Sequence, residues 1–333
     1  RAYYSAIKAL MECSDDLRYP GFQIWQYQIE WQERRVERLG YLFFGARICP
    51  CFLEPVAAWS TGAMFFLALK KARHAIAENL AIILPGQTLW QYVKDTFRVI
   101  HNFGWTLTDF AHVRLGEEVI DWEIAGQQHL DPLADLKTGA IILTAHMGNY
   151  DVAAPLFARR LKRRIHTVRT PDRDPETQEY MKRRREADTS EWMTIHYNEP
   201  GGMLAVELTK LLQEGEFVAI QGDRILFDVS AQEAEFRDGI QWQLPRGPFM
   251  LSLVARVPIV PVFIIRLGWR RYRVAAGAPF EWKGDPRDRT GAQDAAVKWW
   301  SQCLREAVEQ HWYQWFVFER VFHRKTSIED IEE

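Results

Sequence analysis

Short apolar runs alternate with segments of helical periodicity from residue 139 onward, and this alternation constrains the fold most strongly. Each apolar run has the length of a buried strand, whereas the segments between them repeat apolar residues every three or four positions. Strands that alternate with helices build a sheet with helices on its faces. The predicted strands are 139–145, 165–170, 217–223, 258–267 and 270–280, and the predicted helices are 148–164, 175–188, 201–215, 247–257 and 291–318. The sequence therefore predicts an α/β fold with a mixed central sheet flanked by helices.

The chain before this region has a different pattern. Residues 1–115 contain no strand-like alternation, and apolar spacing predicts helices over 70–84 and 88–114, separated by Pro-Gly at 85–86. We therefore predict a helical N-terminal region over 1–115, an α/β domain over 116–323 and an acidic tail over 324–333.

An apolar stretch over residues 41–71 is the nearest candidate for a membrane span. Arg47 and Glu54 interrupt it, and Pro50 and Pro55 break its helical continuity. These interruptions favour a hydrophobic helical hairpin over a span. The hairpin is expected either to lie in a membrane interface or to be buried against the main domain.

The segment "TAHMGNYD", residues 144–151, follows the first predicted strand. His146 is thus expected at the carboxyl edge of the sheet, where α/β folds bind ligands. Asp151 falls in the first turn of the next helix, from which its carboxylate can reach back and orient the imidazole. Gly148 allows close backbone approach to a ligand, and the free N–H groups of the helix start near Asn149 favour negative charge. This pattern suits a general base that deprotonates a hydroxyl or amine attacking a carbonyl. The alternative is a structural histidine beside an ordinary helix-start acid.

Two further segments follow predicted strands or open helices. "QGDRILFDVS" places Asp223 and Arg224 at the end of the strand 217–223, where they form either a surface ion pair or part of the same cleft. Arg246 and Gly247 open an apolar helix that begins in "LPRGPF". Gly148 and Asn149 are predicted substrate-binding positions, and the family resemblance given below implies the same role for these four residues.

The composition of the chain limits which classes of function remain open. The net charge of −2 gives no argument for nucleic-acid binding. The cysteines, Cys13, Cys49, Cys51 and Cys303, are too irregular for a zinc site and are expected as reduced thiols in a cytosolic compartment. The cysteines therefore predict no zinc site, and the family resemblance given below implies chemistry that needs no metal and no cofactor.

Basic residues concentrate over 159–185, which carries more Arg and Lys than Asp and Glu. This excess suits an acidic carrier protein, coenzyme A phosphates or anionic lipid, or is simply a solvated face. Phe249, Met250 and Leu253 are candidate lining for an acyl groove, or alternatively core residues.

The ordered motifs resemble those of the lysophospholipid acyltransferase superfamily. Within it, the chain is similar to the lipid A biosynthesis acyltransferase family, which includes lauroyl- and myristoyl-transferases and the related phosphatidylinositol mannoside acyltransferases. The resemblance covers about residues 60–323. The resemblance rests on these motifs: "HMGNYD" as a His-x-x-x-x-acid motif, "GDRILFD", "PRGPFMLSLVARVPIVPVFIIR", the upstream "KARHAIAENL" and the Trp-rich "WWSQCLREAVEQHWYQWFVFERVF".

The resemblance implies a glycerol-3-phosphate acyltransferase-like fold and the transfer of a fatty acyl group, not an aminoacyl group, to a lipid or glycolipid. The implied donor is an acyl carrier protein or coenzyme A thioester. His146 and Asp151 are implied as the catalytic pair, without a covalent acyl-enzyme. The resemblance also implies that the protein is located at the cytoplasmic face of the inner membrane, as a peripheral or monotopic membrane protein. Two alternatives stay open: an amine or other non-lipid-A acceptor, and a non-catalytic lipid-binding relative.

Overall fold

The computed structural model describes residues 44–116, 119–169, 192–198, 203–225, 230–282 and 288–324. Its first part is helical. Helix α1 spans Glu54–Ala68, α2 spans Lys70–Ile83 and α3 spans Leu89–Arg114. Thr88 and Gln91 form a capping box that fixes the start of α3, which also carries the 3.6-residue apolar repeat. The predicted helices 70–84 and 88–114 are confirmed within one residue at each end.

The apolar stretch 41–71 is helical at 44–48, turns around Pro50 and continues as α1. Helix α1 packs on α3, with Ala58 and Gly62 on its buried side. In the parts of the chain that the structure describes, no helix is both long enough and apolar enough to cross a membrane.

Glu54, at the start of α1, attaches this helix to the α/β domain. Its buried carboxylate accepts hydrogen bonds from Arg270 at 2.7 Å and from the Trp269 indole at 3.2 Å. His112 of α3 lies 3.1 Å from the same carboxylate. A buried carboxylate requires such partners, so these contacts fix α1 relative to the sheet.

In the part of the chain that the structure describes, seven strands form the central sheet. In chain order they are β1 Asp121–Ala125, β2 Ile141–Thr144, β3 Ile165–Arg169, β4 Met193–Tyr197, β5 Phe217–Gln221, β8 Ile259–Gly268 and β9 Arg271–Ala276. The numbers between β5 and β8 belong to strands of a second sheet, which is described below. Their spatial order is β1-β9-β8-β2-β5-β3-β4. Only β8 and β9 pair antiparallel, and every other neighbouring pair is parallel. The prediction of a mixed α/β sheet is confirmed.

Further helices, of different lengths, and a second sheet complete the domain. The helices are α4 Gln127–Leu130, α5 Tyr150–Leu161, α6 Leu204–Gln213, α7 Gly247–Ala255 and α8 Arg289–His311. Strands β6 Ala231–Arg237, β7 Ile240–Pro245 and β10 Phe322–Arg324 form an antiparallel sheet in the order β10-β7-β6. The predicted helix 175–188 lies outside the described residues.

Helices cover both faces of the central sheet, and the side chains of β2 alternate between them. Ile141 and Leu143 join a core that includes Trp300 of α8, whereas Ile142 joins the opposite core with Phe157 of α5. Strand β2 is therefore buried on both faces, which is why its sequence reads as an unbroken apolar run.

The predicted helix 291–318 is wrong at its carboxyl end. Helix α8 stops at His311, a single 3₁₀ turn covers Trp312–Gln314, and the chain then becomes extended. The extended backbone pairs with the loop after β2, where Met147 and Trp315 form an isolated bridge. Aromatic residues at helical spacing suggested one continuous stripe, but tertiary pairing ends the helix earlier.

Candidate active site

The register of two central strands brings His146 and Asp223 together. Strands β2 and β5 are parallel neighbours, and Thr144 lies opposite Gln221 at their last paired position. His146 and Asp223 each follow two residues beyond that pair. Because parallel strands end at the same edge of the sheet, the two side chains emerge next to each other.

The carboxylate of Asp223 binds His146 at two points. The Nδ1–H of the imidazole donates to Oδ1 at 2.7 Å, and the main-chain N–H of His146 donates to Oδ2 at 2.9 Å. Both residues are buried, with 7% of His146 and 1% of Asp223 exposed. The carboxylate therefore fixes the ring orientation and keeps the proton on Nδ1, which leaves the Nε2 lone pair as the proton acceptor.

Burial and charge favour a neutral imidazole beside an ionised carboxylate. Burial lowers the pKa of His146, and the positive charge of Arg224 lowers it further, against the opposing effect of Asp223. Burial alone would raise the pKa of Asp223, but attraction to His146 and its two hydrogen bonds hold that pKa below the usual value. A general base needs this combination, because it must be unprotonated when the substrate binds.

Arg224 covers the proton-accepting nitrogen of His146. One guanidinium nitrogen donates to Nε2 at 3.2 Å, and another lies 3.7 Å from the carboxylate of Glu319. The Nε–H of Arg224 is buried and lacks a hydrogen-bond partner among the described residues. A substrate group that reaches Nε2 must displace this cation, which then has donors available for a nearby anion.

Asp151 does not occupy the orienting position predicted for it. Its carboxylate accepts a hydrogen bond from Arg169 at the end of β3, and Asp223 takes the place at Nδ1. The helix geometry explains the correction. Helix α5 begins at Tyr150, whose ring meets the imidazole edge-on at 5.6 Å between centroids, and the next residue points about 100° away around the helix. Asp151 therefore faces β3 and joins it to α5.

Gly148 and Asn149 fix the His146 loop from within. Gly148 has φ 57°, and an added Cβ would lie 2.1 Å from the carbonyl oxygen of Ile264. The buried amide of Asn149 donates to the carbonyl of Thr106 at 3.2 Å. These contacts are internal and hold the loop in place, and the predicted ligand-binding roles of both residues stay predictions.

Replacing Gly148 with alanine should destabilise the protein by about 2 kcal/mol or more, because a Cβ meets backbone at a positive φ. Thermal or urea unfolding of the full chain measures the change. Gly247→Ala is the matched control, since nothing lies within 4 Å of an added Cβ there. Equal stability of the two variants would contradict the close packing of this loop.

Arg246 and Gly247 lie at the start of α7. Arg246 precedes α7 and donates to the side chain of Gln293 in α8 at 3.0 Å. Among the described residues, neither Arg246 nor Gly247 forms a hydrogen bond or an ion pair with His146 or Asp223, and their predicted substrate-binding roles stay predictions. Phe249 is fully buried in the core, whereas Met250 and Leu253 are half-buried.

The segment after α8 forms one wall of the site, which the sequence did not predict. The N–H of Phe316 donates to the carbonyl of His146 at 2.8 Å, and the indole N–H of Trp315 donates to Oδ2 of Asp223 at 3.0 Å. Glu319 of the same segment lies beside Arg224. The Trp-rich composition of this segment was the available signal, but it did not indicate which tryptophan contacts the site.

The described residues contain no group of three or more His, Cys, Asp or Glu side chains placed to hold a metal ion. Cys303 is partly buried, and burial raises the pKa of its thiol to about 11. Most of the basic segment 159–185 lies outside the described residues.

Comparison with known proteins adds a family match. The family model for bacterial lipid A biosynthesis acyltransferases matches residues 42–324, which is most of the chain and includes every site residue above. A second family model, DUF6079 third domain, matches residues 1–48. A search of curated proteins found no match.

Proposed function

Because the chain belongs to the bacterial lipid A biosynthesis acyltransferase family, we propose that it transfers a fatty acyl chain from a thioester to a lipid or glycolipid. The donor in this proposal is acyl carrier protein or coenzyme A thioester, and the acceptor group is a hydroxyl or an amine. His146 acts as the general base, and Asp223 orients it. The observation that carries the proposal is the buried imidazole whose Nδ1–H is held by a carboxylate.

The reaction uses the lone pair on Nε2, which becomes available when the acceptor displaces the Arg224 guanidinium. This nitrogen takes the proton of the acceptor hydroxyl or amine as the acceptor attacks the thioester carbonyl. Asp223 stabilises the imidazolium that forms. When the tetrahedral intermediate collapses, the carbon–sulfur bond breaks and the imidazolium returns the proton to the leaving thiolate. One ester or amide bond is made and one thioester bond is lost, without an acyl-enzyme, a metal or a cofactor.

Arg224 is the group best suited to stabilise the oxyanion. Its guanidinium lies within hydrogen-bond distance of Nε2, next to the point where the acceptor must enter. Displacement by the acceptor leaves its N–H donors free to bind the developing negative charge on the carbonyl oxygen. Glu319, at 3.7 Å, keeps the cation in place in the absence of substrate.

The deciding assay measures thiol release by purified full-length protein. The protein is incubated with acyl carrier protein or coenzyme A thioesters, with and without lipid acceptors, and the acylated lipid is identified by mass spectrometry. The expected result is release that depends on acceptor and yields a matching acylated product. Lipid binding without thiol release from any donor would instead favour a non-catalytic relative. An amine acceptor would redefine the substrate while keeping the chemistry.

An exposed apolar surface at the N-terminal helices suits attachment to a membrane. On α1, Val56, Trp59 and Leu67 are 65%, 58% and 74% exposed, and at the start of α3 Leu89 and Trp90 are 81% and 75% exposed. Exposed apolar side chains in such number favour an apolar environment. We place this apolar surface in the cytoplasmic leaflet of the inner membrane, where a peripheral or monotopic enzyme reaches both a soluble donor and a lipid acceptor.

Replacing Val56 and Leu67 with aspartate should lower binding to vesicles at least about tenfold, because each burial in lipid contributes about 1.5–3 kcal/mol. Sedimentation with phosphatidylglycerol–phosphatidylethanolamine vesicles measures the bound fraction. The matched control is Val206→Asp with Val254→Asp, since these valines are 60% and 54% exposed on α6 and α7. Equal losses in both double variants would contradict a specific membrane surface.

A further inference from the structure

We propose that Trp315 is a positioning residue, whose indole N–H holds the carboxylate of Asp223 in the orientation that keeps His146 ready to accept a proton. The inference rests on the proposed acyl transfer, and it assigns a role to the segment after α8 that neither the His146 motif nor the Asp223 motif contains.

The bonds to Asp223 show what the indole adds. Among the described residues, Oδ1 accepts the Nδ1–H of His146, whereas Oδ2 accepts both the main-chain N–H of His146 and the Nε1–H of Trp315. The Nδ1–H belongs to the ring that Asp223 has to orient, so it cannot itself hold the carboxylate against rotation. The two donors to Oδ2 do so, and loss of the Trp315 indole N–H leaves the main-chain N–H of His146 alone to fix the carboxylate.

The position of Trp315 is itself fixed by contacts to the same loop. Its backbone bridges Met147, and the next residue, Phe316, donates to the His146 carbonyl. The indole is 3% exposed and packs against Trp242 and Phe322, with centroid distances of 6.4 and 6.0 Å. A donor held in this way loses little conformational freedom when it binds the carboxylate.

Two other buried tryptophans show that the acceptor is what distinguishes Trp315. Trp300 donates to the carbonyl of Gly222 at 2.7 Å, and Trp242 donates to the hydroxyl of Ser301 at 2.9 Å. Those acceptors are neutral and satisfy a buried indole, as burial requires. Trp315 instead donates to an ionised carboxylate, and a hydrogen bond to a charged group is about twice as strong.

The test compares Trp315→Phe with Trp300→Phe in the full-length protein. Both variants remove one buried indole N–H, and Gly222 is adjacent to Asp223 in sequence. In Trp315→Phe we expect kcat to fall about tenfold with KM nearly unchanged, because an orienting bond to a charged group is lost. In Trp300→Phe we expect kcat to stay within about threefold of the unmodified protein, since the acceptor there is neutral.

The pH dependence separates positioning from general damage. The charged and titratable groups around His146 in the described chain are Asp223, Arg224, Glu319 and Tyr150. Loss of a donor to Asp223 makes the surroundings of the imidazole more negative and raises the pKa of His146. A base works only when unprotonated, so the acidic limb of the pH–kcat/KM profile should move to higher pH in Trp315→Phe and not in Trp300→Phe.

NMR titration of the His146 imidazole keeps this inference distinct from the proposed function. The titration midpoint should rise in Trp315→Phe alone, whether or not the chosen substrates react. Absence of any His146-dependent thiol release would count against the acyltransferase proposal. Unchanged His146 titration in Trp315→Phe, or equal changes in both tryptophan variants, would overturn the positioning role.

Discussion

Replacing His146 with glutamine should lower kcat for acyl transfer by about a hundredfold to ten-thousandfold. Glutamine keeps a similar length and can still donate a hydrogen bond to Asp223, but its amide cannot accept the proton of the acceptor. KM for the thioester should change little, because the loss concerns the proton transfer and not binding. Acceptor-dependent thiol release, measured under single-turnover and steady-state conditions, provides the test.

His166→Gln is the matched control for this change. His166 is also a buried histidine that hydrogen-bonds a carboxylate, in this case Glu216, but it lies within β3 and is no part of the proposed site. We expect its replacement to leave kcat within a few-fold of the unmodified protein. Acyl transfer that survives in His146→Gln would remove the general base from the mechanism and, with it, the proposed chemistry.

Replacing Asp223 with asparagine should lower kcat by about a thousandfold to ten-thousandfold. The amide removes the negative charge that stabilises the imidazolium, and its NH₂ group can donate to Nδ1 and so stabilise the wrong tautomer. Folded state is checked by circular dichroism and thermal unfolding, and activity by thiol release. The same substitution also lowers the pKa of His146, because an adjacent negative charge is lost, so an NMR titration should detect the change directly.

Asp151→Asn is the decisive comparison, because the sequence alone favoured Asp151 as the orienting acid. Asp151 is bound to Arg169 and is about one quarter exposed, so its replacement should weaken the contact between α5 and β3. We expect a clearly smaller loss of kcat than in Asp223→Asn. A larger loss in Asp151→Asn would mean that the first-turn carboxylate, and not Asp223, orients the base.

The central strands could be predicted because burial dictates their composition. Strands β2, β5 and β8 lie inside the sheet, and their apolar runs identify them without knowledge of the neighbours. The edge strands β1, "DWEIA", and β4, "MTIHY", were missed, because exposed or half-buried positions admit polar residues that hide the pattern. The second sheet was missed for a similar reason, since exposed charges interrupt β6.

The sequence by itself determined the mixed α/β class and the arrival of His146 and Asp223 at strand ends, because strand length and apolar spacing are local properties, and its ordered motifs indicated the family. Only the tertiary structure decided which carboxylate meets the imidazole. That choice depends on the pairing of Thr144 with Gln221 across β2 and β5, and on the rotation of α5 that turns Asp151 toward β3. A tryptophan 92 residues from Asp223 in the chain also donates a hydrogen bond to that carboxylate, and no local pattern can connect it to the site.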